Sequence, residues 1–345
     1  MTALIATPPV LLHPLADHHG KPAALLLDLG APAASLPSLP PLLPASLMHD
    51  LAAAGMRCLY RNGQPDAGAA LDRAGWQALD PACMQRLDDP QQLPPAPGVQ
   101  WLIGEWFMAP PPKPADAQVA SRALAMQLVQ LVATDADTHE IEAVLRQDPT
   151  LSYHLLKLVN SLAISANAGA NAGGGRRVTS FAQAILILGR AQLRRWLNLM
   201  LFSSREGDRR SPMLLARVSV RARAMELLAH ETGLSKNQQE MAFMVGMFSL
   251  LGVLFGMTLA DVLKPLTIGD TMVRALLDHE GELGRLLTVV EAAERDDHAA
   301  LADLLAVIGI DGGQFNRAML DAYGWMQSVA LGKAGQAVGT DVRHA

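Results

Sequence analysis

The stretch that decides the fold is Asp148–Leu162, DPTLSYHLLKLVNSL. Asp148 suits an N-cap, and Pro149 suits the first helical position, where its missing N–H has no intrahelical acceptor to lose. Leu151, Leu155, Leu158, Val159 and Leu162 then recur at intervals of three or four and line one face. Such a segment is a helix made to pack on other helices.

The same periodicity extends outward on both sides. Upstream it predicts helices over 118–133 and 137–147, the second opened by Asp137 with Glu140 three residues on, a variant capping box. Downstream, Ser180 and Gln183 open a long helix reaching about Ser203, and another is predicted over 214–232 with Gly233 past its end. Further helices are predicted near 270–279, 284–295, 301–308 and 314–329. Residues 165–177 are rich in Gly, Ala and Asn and predict a loop, and 331–345 predict a loose tail.

Residues 1–113 read differently. They are Pro-rich, with short apolar runs: strands are predicted at 23–29, 56–60 and 99–108, and a helix at 44–54. The run Ala109-Pro110-Pro111-Pro112-Lys113-Pro114 reads as a stiff linker. The expected organisation is therefore an α/β domain over 1–113, an all-helical domain over 114–330 and a tail over 331–345, a mainly α protein.

Half of the 345 residues are apolar, 18% are charged and only 4% are aromatic, a composition of helices packed on helices rather than of disorder. The net charge of -5 gives no general attraction for nucleic acid or anionic lipid. Two cysteines, Cys58 and Cys83, form no disulfide framework, which fits a reducing cytoplasm. The start of the chain has no basic n-region and is broken by Pro8 and Pro9, so no signal peptide is expected. Met241–Ala260 is twenty residues without a charge, but Gly246, Gly252 and Gly256 interrupt it. Two buried helical segments are expected there rather than a membrane span.

The search for chemistry returns little. His49-Asp50 has no spaced partners, Asp17-His18-His19 reads as a solvated loop, and Asp296-Asp297-His298 as a junction between a helix and a loop. Gly173-Gly174-Gly175-Arg176-Arg177 precedes a helix but lacks the phosphate-loop pattern. Arg190, Arg194 and Arg195 read as a solvated ridge. No nucleophile elbow, Rossmann fingerprint or Cys-x-x-Cys pair is present. The polar residues that suit a binding pocket are Asn160 and Ser161, because a helix interior has little local use for Asn; Arg176 and Arg177 are the other binding candidates. Asn160 serves equally well as a structural cross-link between helices.

Taken together, Asp148-Pro149-x-Leu151, Leu155-Leu156-x-Leu158-Val159-Asn160-Ser161, Ser180-x-x-Gln183-Ala184-Ile185-x-x-Leu188-Gly189 and Leu193-x-x-Trp196 resemble the HDOD family, the HD-related output domains of bacterial signalling proteins. Phe243-x-x-Gly246-Met247-Phe248-Ser249-Leu250-Leu251-Gly252 resembles the branch in which an HDOD domain follows an EAL domain. The resemblance covers roughly 115–310. In true HD phosphohydrolases the corresponding segment carries an adjacent His and Asp that bind metal; Ser249 and Leu250 stand in those positions here. The resemblance thus implies a degenerate phosphohydrolase fold with no metal, no cofactor and no catalysis, acting by contact with other signalling proteins. Val99–Pro110 resembles the closing segment of an EAL barrel, which implies a truncated, degenerate EAL remnant. The Glu-x-Leu signature of that family is absent from it. Cyclic di-GMP is a candidate ligand, and an EAL-type phosphodiesterase is the alternative reading. No nucleic-acid partner is expected, and the sequence leaves the oligomeric state open.

Overall fold

The structure is a computed structural model that describes residues 7–28, 43–53, 55–61, 65–111, a scatter of positions between 127 and 145, residues 195 and 202, and 208–330 apart from 267. The deciding segment at 148–162, the Gly-rich loop, the helix predicted from Ser180 and the tail lie outside these residues, except that position 195 is helical.

Two compact units divide the chain. One gathers Met1–Ala109, Arg209–Leu250 and Asp270–Gln327; the other gathers Pro110–Asp208, Leu251–Gly269 and Ser328–Ala345.

In the first unit six strands form one sheet: β1 (Leu11–Ala16), β2 (Pro22–Asp28), β3 (Arg57–Arg61), β4 (Gln77–Leu79), β5 (Met84–Arg86) and β6 (Trp101–Ile103). The order is β4-β3-β2-β1-β6-β5. β1 and β2 pair antiparallel through a tight turn, in which the Asp17 carboxylate accepts from the N–H groups of His19 and Lys21, both at 2.9 Å. β2, β3 and β4 run parallel, so each step needs a crossover. Helices α1 (Ala45–Ala53) and α2 (Pro65–Arg73) supply them. Leu15, Ala24, Leu26, Leu59, Leu79 and Trp101 cluster as one buried core of this sheet.

The helices of this unit are α4 (Ser211–Glu231), α5 (Lys236–Phe248), α8 (Asp270–Leu277), α9 (Gly281–Glu294), α10 (His298–Ile308) and α11 (Gly312–Ala330, of which the unit takes the part up to Gln327). α3 (Thr138–Leu145), α6 (Leu251–Phe255) and α7 (Leu259–Leu263) belong to the other unit. α5 begins with a complete capping box from Ser235 and Gln238. It crosses α4 closely because Gly246 has no side chain: a Cβ there would lie 2.6 Å from Ala222 Cα. α4 and α9 both pack against β1. α11 holds the start of the chain, since the fully buried Asn316 accepts from Val10 N at 2.8 Å and donates to Pro8 O at 3.1 Å, while the Tyr323 hydroxyl donates to Leu12 O.

The helical C-terminal region matches the expected class. The N-terminal region is a mixed sheet of six strands, where the sequence suggested three, and the predicted strand over 99–108 shrinks to Trp101–Ile103 followed by a 3-10 turn at Trp106–Met108. The chain as a whole is therefore not all-α. The apolar run at 241–260 resolves into the end of α5, then α6, then the start of α7, with Gly256 in the left-handed region at φ +61°. By length and composition alone Lys236–Phe255 could cross a membrane, and 56% of its most apolar window is buried inside the protein.

Candidate functional site

The charged site lies within the first unit, beside a cleft of about 560 Å³. Arg217 and Arg221 are one turn apart on α4 and so share a face. Glu291 and Glu294 share a face of α9 in the same way. Ser249, at the C-terminal cap of α5, comes to this place because Gly246 one turn earlier lets α5 approach α4 so closely. The turn after β6 contributes Gly104, Glu105, Phe107 and Met108 to the cleft, and β1 contributes His13.

Arg221 is the hub. Its Nε donates to Glu294 Oε1 at 3.0 Å and its Nη2 to Glu294 Oε2, a bidentate fork. Its Nη1 donates to Ser249 Oγ at 2.8 Å and to Glu291 Oε1 at 3.3 Å. The Ser249 hydroxyl in turn donates to Gly246 O at 2.8 Å. Arg217 continues the network, reaching Glu294 Oε2 at 3.2 Å and Glu105 Oε1 at 2.6 Å while its guanidinium lies 5.2 Å from the centre of the Phe107 ring. Glu291 also meets His279 Nε2 at 3.0 Å and Arg295 Nη1 at 3.8 Å. Across the cleft His13 Nε2 faces Asp296 Oδ1 at 3.5 Å.

Burial sets the electrostatics of these groups. It would raise the Glu294 carboxyl, but Arg221 and Arg217 outweigh it and hold that group below its ordinary 4.5. Arg217 is also opposed by burial, and Glu294 with Glu105 more than compensates, so its guanidinium stays charged. His13 is different: burial dominates over the attraction of Asp296 and Asp28 and lowers it from 6.5, with Arg61 and Arg217 pushing the same way.

Of the residues singled out from sequence, Ser249 and Leu250 are described. Ser249 is a hydrogen-bonded hydroxyl, and Leu250 is 2% exposed with no donor atom to offer a cation. Asn160, Ser161, Arg176 and Arg177 lie outside the described residues. His49 and Asp50 are exposed on α1, and Asp17 belongs to the β1–β2 turn. Asp297 caps α10 by accepting from Ala300 N at 3.0 Å, whereas its neighbour Asp296, at φ 60°, faces His13. No group of three or more His, Cys, Asp or Glu is arranged to hold a metal among the described residues. A divalent ion does not fit at Ser249, since a guanidinium already lies within hydrogen-bond distance of its hydroxyl.

Sequence reasoning missed Arg217, Arg221, Glu291 and Glu294. A signal was present: two arginines four apart in the helical segment 214–232, and two glutamates three apart after the apolar run LLTVV, occupy faces that a two-sided helix must bury.

Comparison with known proteins gives the region a place. The HDOD domain model matches residues 118–264. The chain carries an HDOD domain. The HDOD match takes in Arg217, Arg221 and Ser249, while Glu291 and Glu294 lie beyond it. Among curated proteins, Cyclic di-GMP phosphodiesterase CdgJ of Vibrio cholerae is 30% identical over 208 residues, covering 60% of this chain and 46% of that protein. "Uncharacterized protein YuxH" of Bacillus subtilis is 28% identical over 162 residues, 46% of this chain and 37% of that one. The chain thus spans less than half the length of the curated relatives it matches. A crystal structure named "Putative phosphohydrolase", from Shewanella amazonensis SB2B, aligns with a TM-score of 0.39 and 18% identity over 62% of this chain and 93% of that one.

Proposed function

We propose that this chain is a non-catalytic bacterial signal-transduction protein whose HDOD domain works as an output and protein-interaction scaffold in cyclic di-GMP-linked or two-component signalling. The observation that carries the reading is the pair Ser249-Leu250, a hydroxyl engaged by Arg221 beside a buried hydrocarbon, where a metal-dependent hydrolase needs two ligands. The HDOD match and the relative named for cyclic di-GMP support the signalling setting. In this reading the N-terminal sheet is a degenerate EAL remnant, with β6 and the turn to Ala109 as its closing segment. Asn160 and Ser161, with Arg176 and Arg177, contact the partner protein, and the chain works in the cytoplasm.

A second reading, a cyclic di-GMP phosphodiesterase or cyclic di-GMP-binding protein, is favoured by the name of the Vibrio relative. One experiment separates them. Purified protein is incubated with cyclic di-GMP and magnesium or manganese, and binding is followed by calorimetry. The scaffold reading expects no turnover; hydrolysis that depends on protein concentration sinks it. A pull-down repeated with Asn160→Ala then checks the partner surface, with loss of the captured partner as the expected result.

A further inference from the structure

We infer that Arg221 is a built-in cation: its guanidinium does the structural work that a divalent ion would do among α4, α5 and α9. Three elements converge on it. Glu291 and Glu294 come from α9, the Ser249 hydroxyl from the end of α5, and the cation itself from α4. Two carboxylates and a hydroxyl aimed at one point form the start of a hard-cation donor set. An unneutralised pair of carboxylates three residues apart and largely shielded from water would repel each other strongly. A guanidinium answers that repulsion with geometry a point charge lacks, since it forks onto Glu294 and still has Nη1 free for Ser249 and Glu291.

The surroundings fit this role. The Arg221 side chain is 6% exposed and the Glu294 side chain 12%, so the pair is shielded, yet the 560 Å³ cleft lies directly beside them. Removal of the guanidinium would open the carboxylates and the Ser249 hydroxyl to that cleft, where a hydrated ion can reach them. Arg217 remains on Glu294 and keeps part of the charge compensated, while His279 Nε2 stands 3.0 Å from Glu291 as a further donor. The covalent cation therefore both joins the helices and shuts out a free one. It does so whatever partner the domain signals to, and turnover assays report on that separate question.

Thermal unfolding and manganese titration on the full chain test the inference with wild type, Arg221→Ala and Arg221→Met, followed by circular dichroism and isothermal calorimetry. Wild type should bind no manganese ion at this place and keep its Tm in millimolar manganese chloride. Both single variants should unfold several degrees lower, and manganese should recover at least half of that loss, whereas the same ionic strength of sodium chloride should not. The double variant Arg221→Met, Glu291→Gln, which leaves Glu294 paired with Arg217, should regain stability and ignore manganese, and it guards against single variants that fail to fold. Should the single variants fold yet stay indifferent to manganese, or should the double variant remain as unstable as the singles, the inference is overturned. Stoichiometric manganese binding by wild type that the Glu291→Gln change abolishes overturns it as well.

Discussion

At the scale of the residue, burial fixes which changes matter. Glu294 is held by two guanidiniums away from bulk water, so Glu294→Gln leaves Arg217 and Arg221 without their shared anion. Breaking one side of a buried ion pair costs about 3–5 kcal/mol, and urea denaturation of the variant should show a loss of that order. His13 carries a different signature. Its folded-state pKa lies below the ordinary 6.5, so between those two values the unfolded chain binds more protons than the folded one. Stability from this residue is full above 6.5 and declines as pH falls through the lowered pKa. Glu294, also lowered, begins to lose its contribution only as the pH drops below its ordinary 4.5, so the decline from His13 starts first. Denaturation midpoints measured while acidifying from neutral should begin to fall near 6.5 in wild type, and His13→Gln should flatten the decline between 6.5 and 4.5. The spacing of the charges was legible beforehand, but their partners were not. Two arginines amid Leu, Ala and Val look like ordinary residues until the carboxylates of α9 are known, and Glu291 lies 70 positions from Arg221 along the chain.

At the scale of the element, close approach of backbones is the controlling feature. Gly246 sits where a Cβ would meet Ala222 Cα at 2.6 Å, and the atoms it would meet are helix backbone that has little room to yield. Gly246→Ala should therefore destabilise by about 1–3 kcal/mol, as overpacked cores do, and should loosen Ser249 from Arg221. Denaturation of the variant checks the first part. Exchange of the Arg221 side-chain N–H groups, followed by nuclear magnetic resonance, checks the second. Ser235→Ala, which removes the reciprocal cap of α5, should cost about 1 kcal/mol in the same assay. The long helices were readable because amphipathic periodicity accumulates over many residues: the predicted 214–232 and 314–329 became Ser211–Glu231 and Gly312–Ala330. β4 and β5, at three residues each, are too short to show alternation, and β1 contains Pro14, which masks it. α2 escaped notice for the opposite reason, since PDAGAALDR is mostly small and polar.

At the scale of the whole molecule, the order of the chain and the order of packing differ. The sheet shares a compact unit with Arg209–Leu250 and Asp270–Gln327. β1 depends on α11 for the hydrogen bonds of Val10, Pro8 and Leu12. A fragment of residues 1–113 should accordingly fail to reach a cooperative fold, and its heteronuclear spectrum should show collapsed dispersion that recovers when 209–330 are supplied. A well-dispersed spectrum from the isolated fragment would contradict this. Nothing in local pattern could announce the arrangement, because hydrophobic period reports which face is buried and not which distant element buries it.

The bond between Val10 and Asn316 spans 306 positions. During synthesis the first strand therefore leaves the ribosome long before the side chain that secures it has been translated. Until then its contacts with α11 stay unmade, which makes the nascent polypeptide a client for holding chaperones and makes synthesis of α11, rather than of the sheet, the step that lets this unit close.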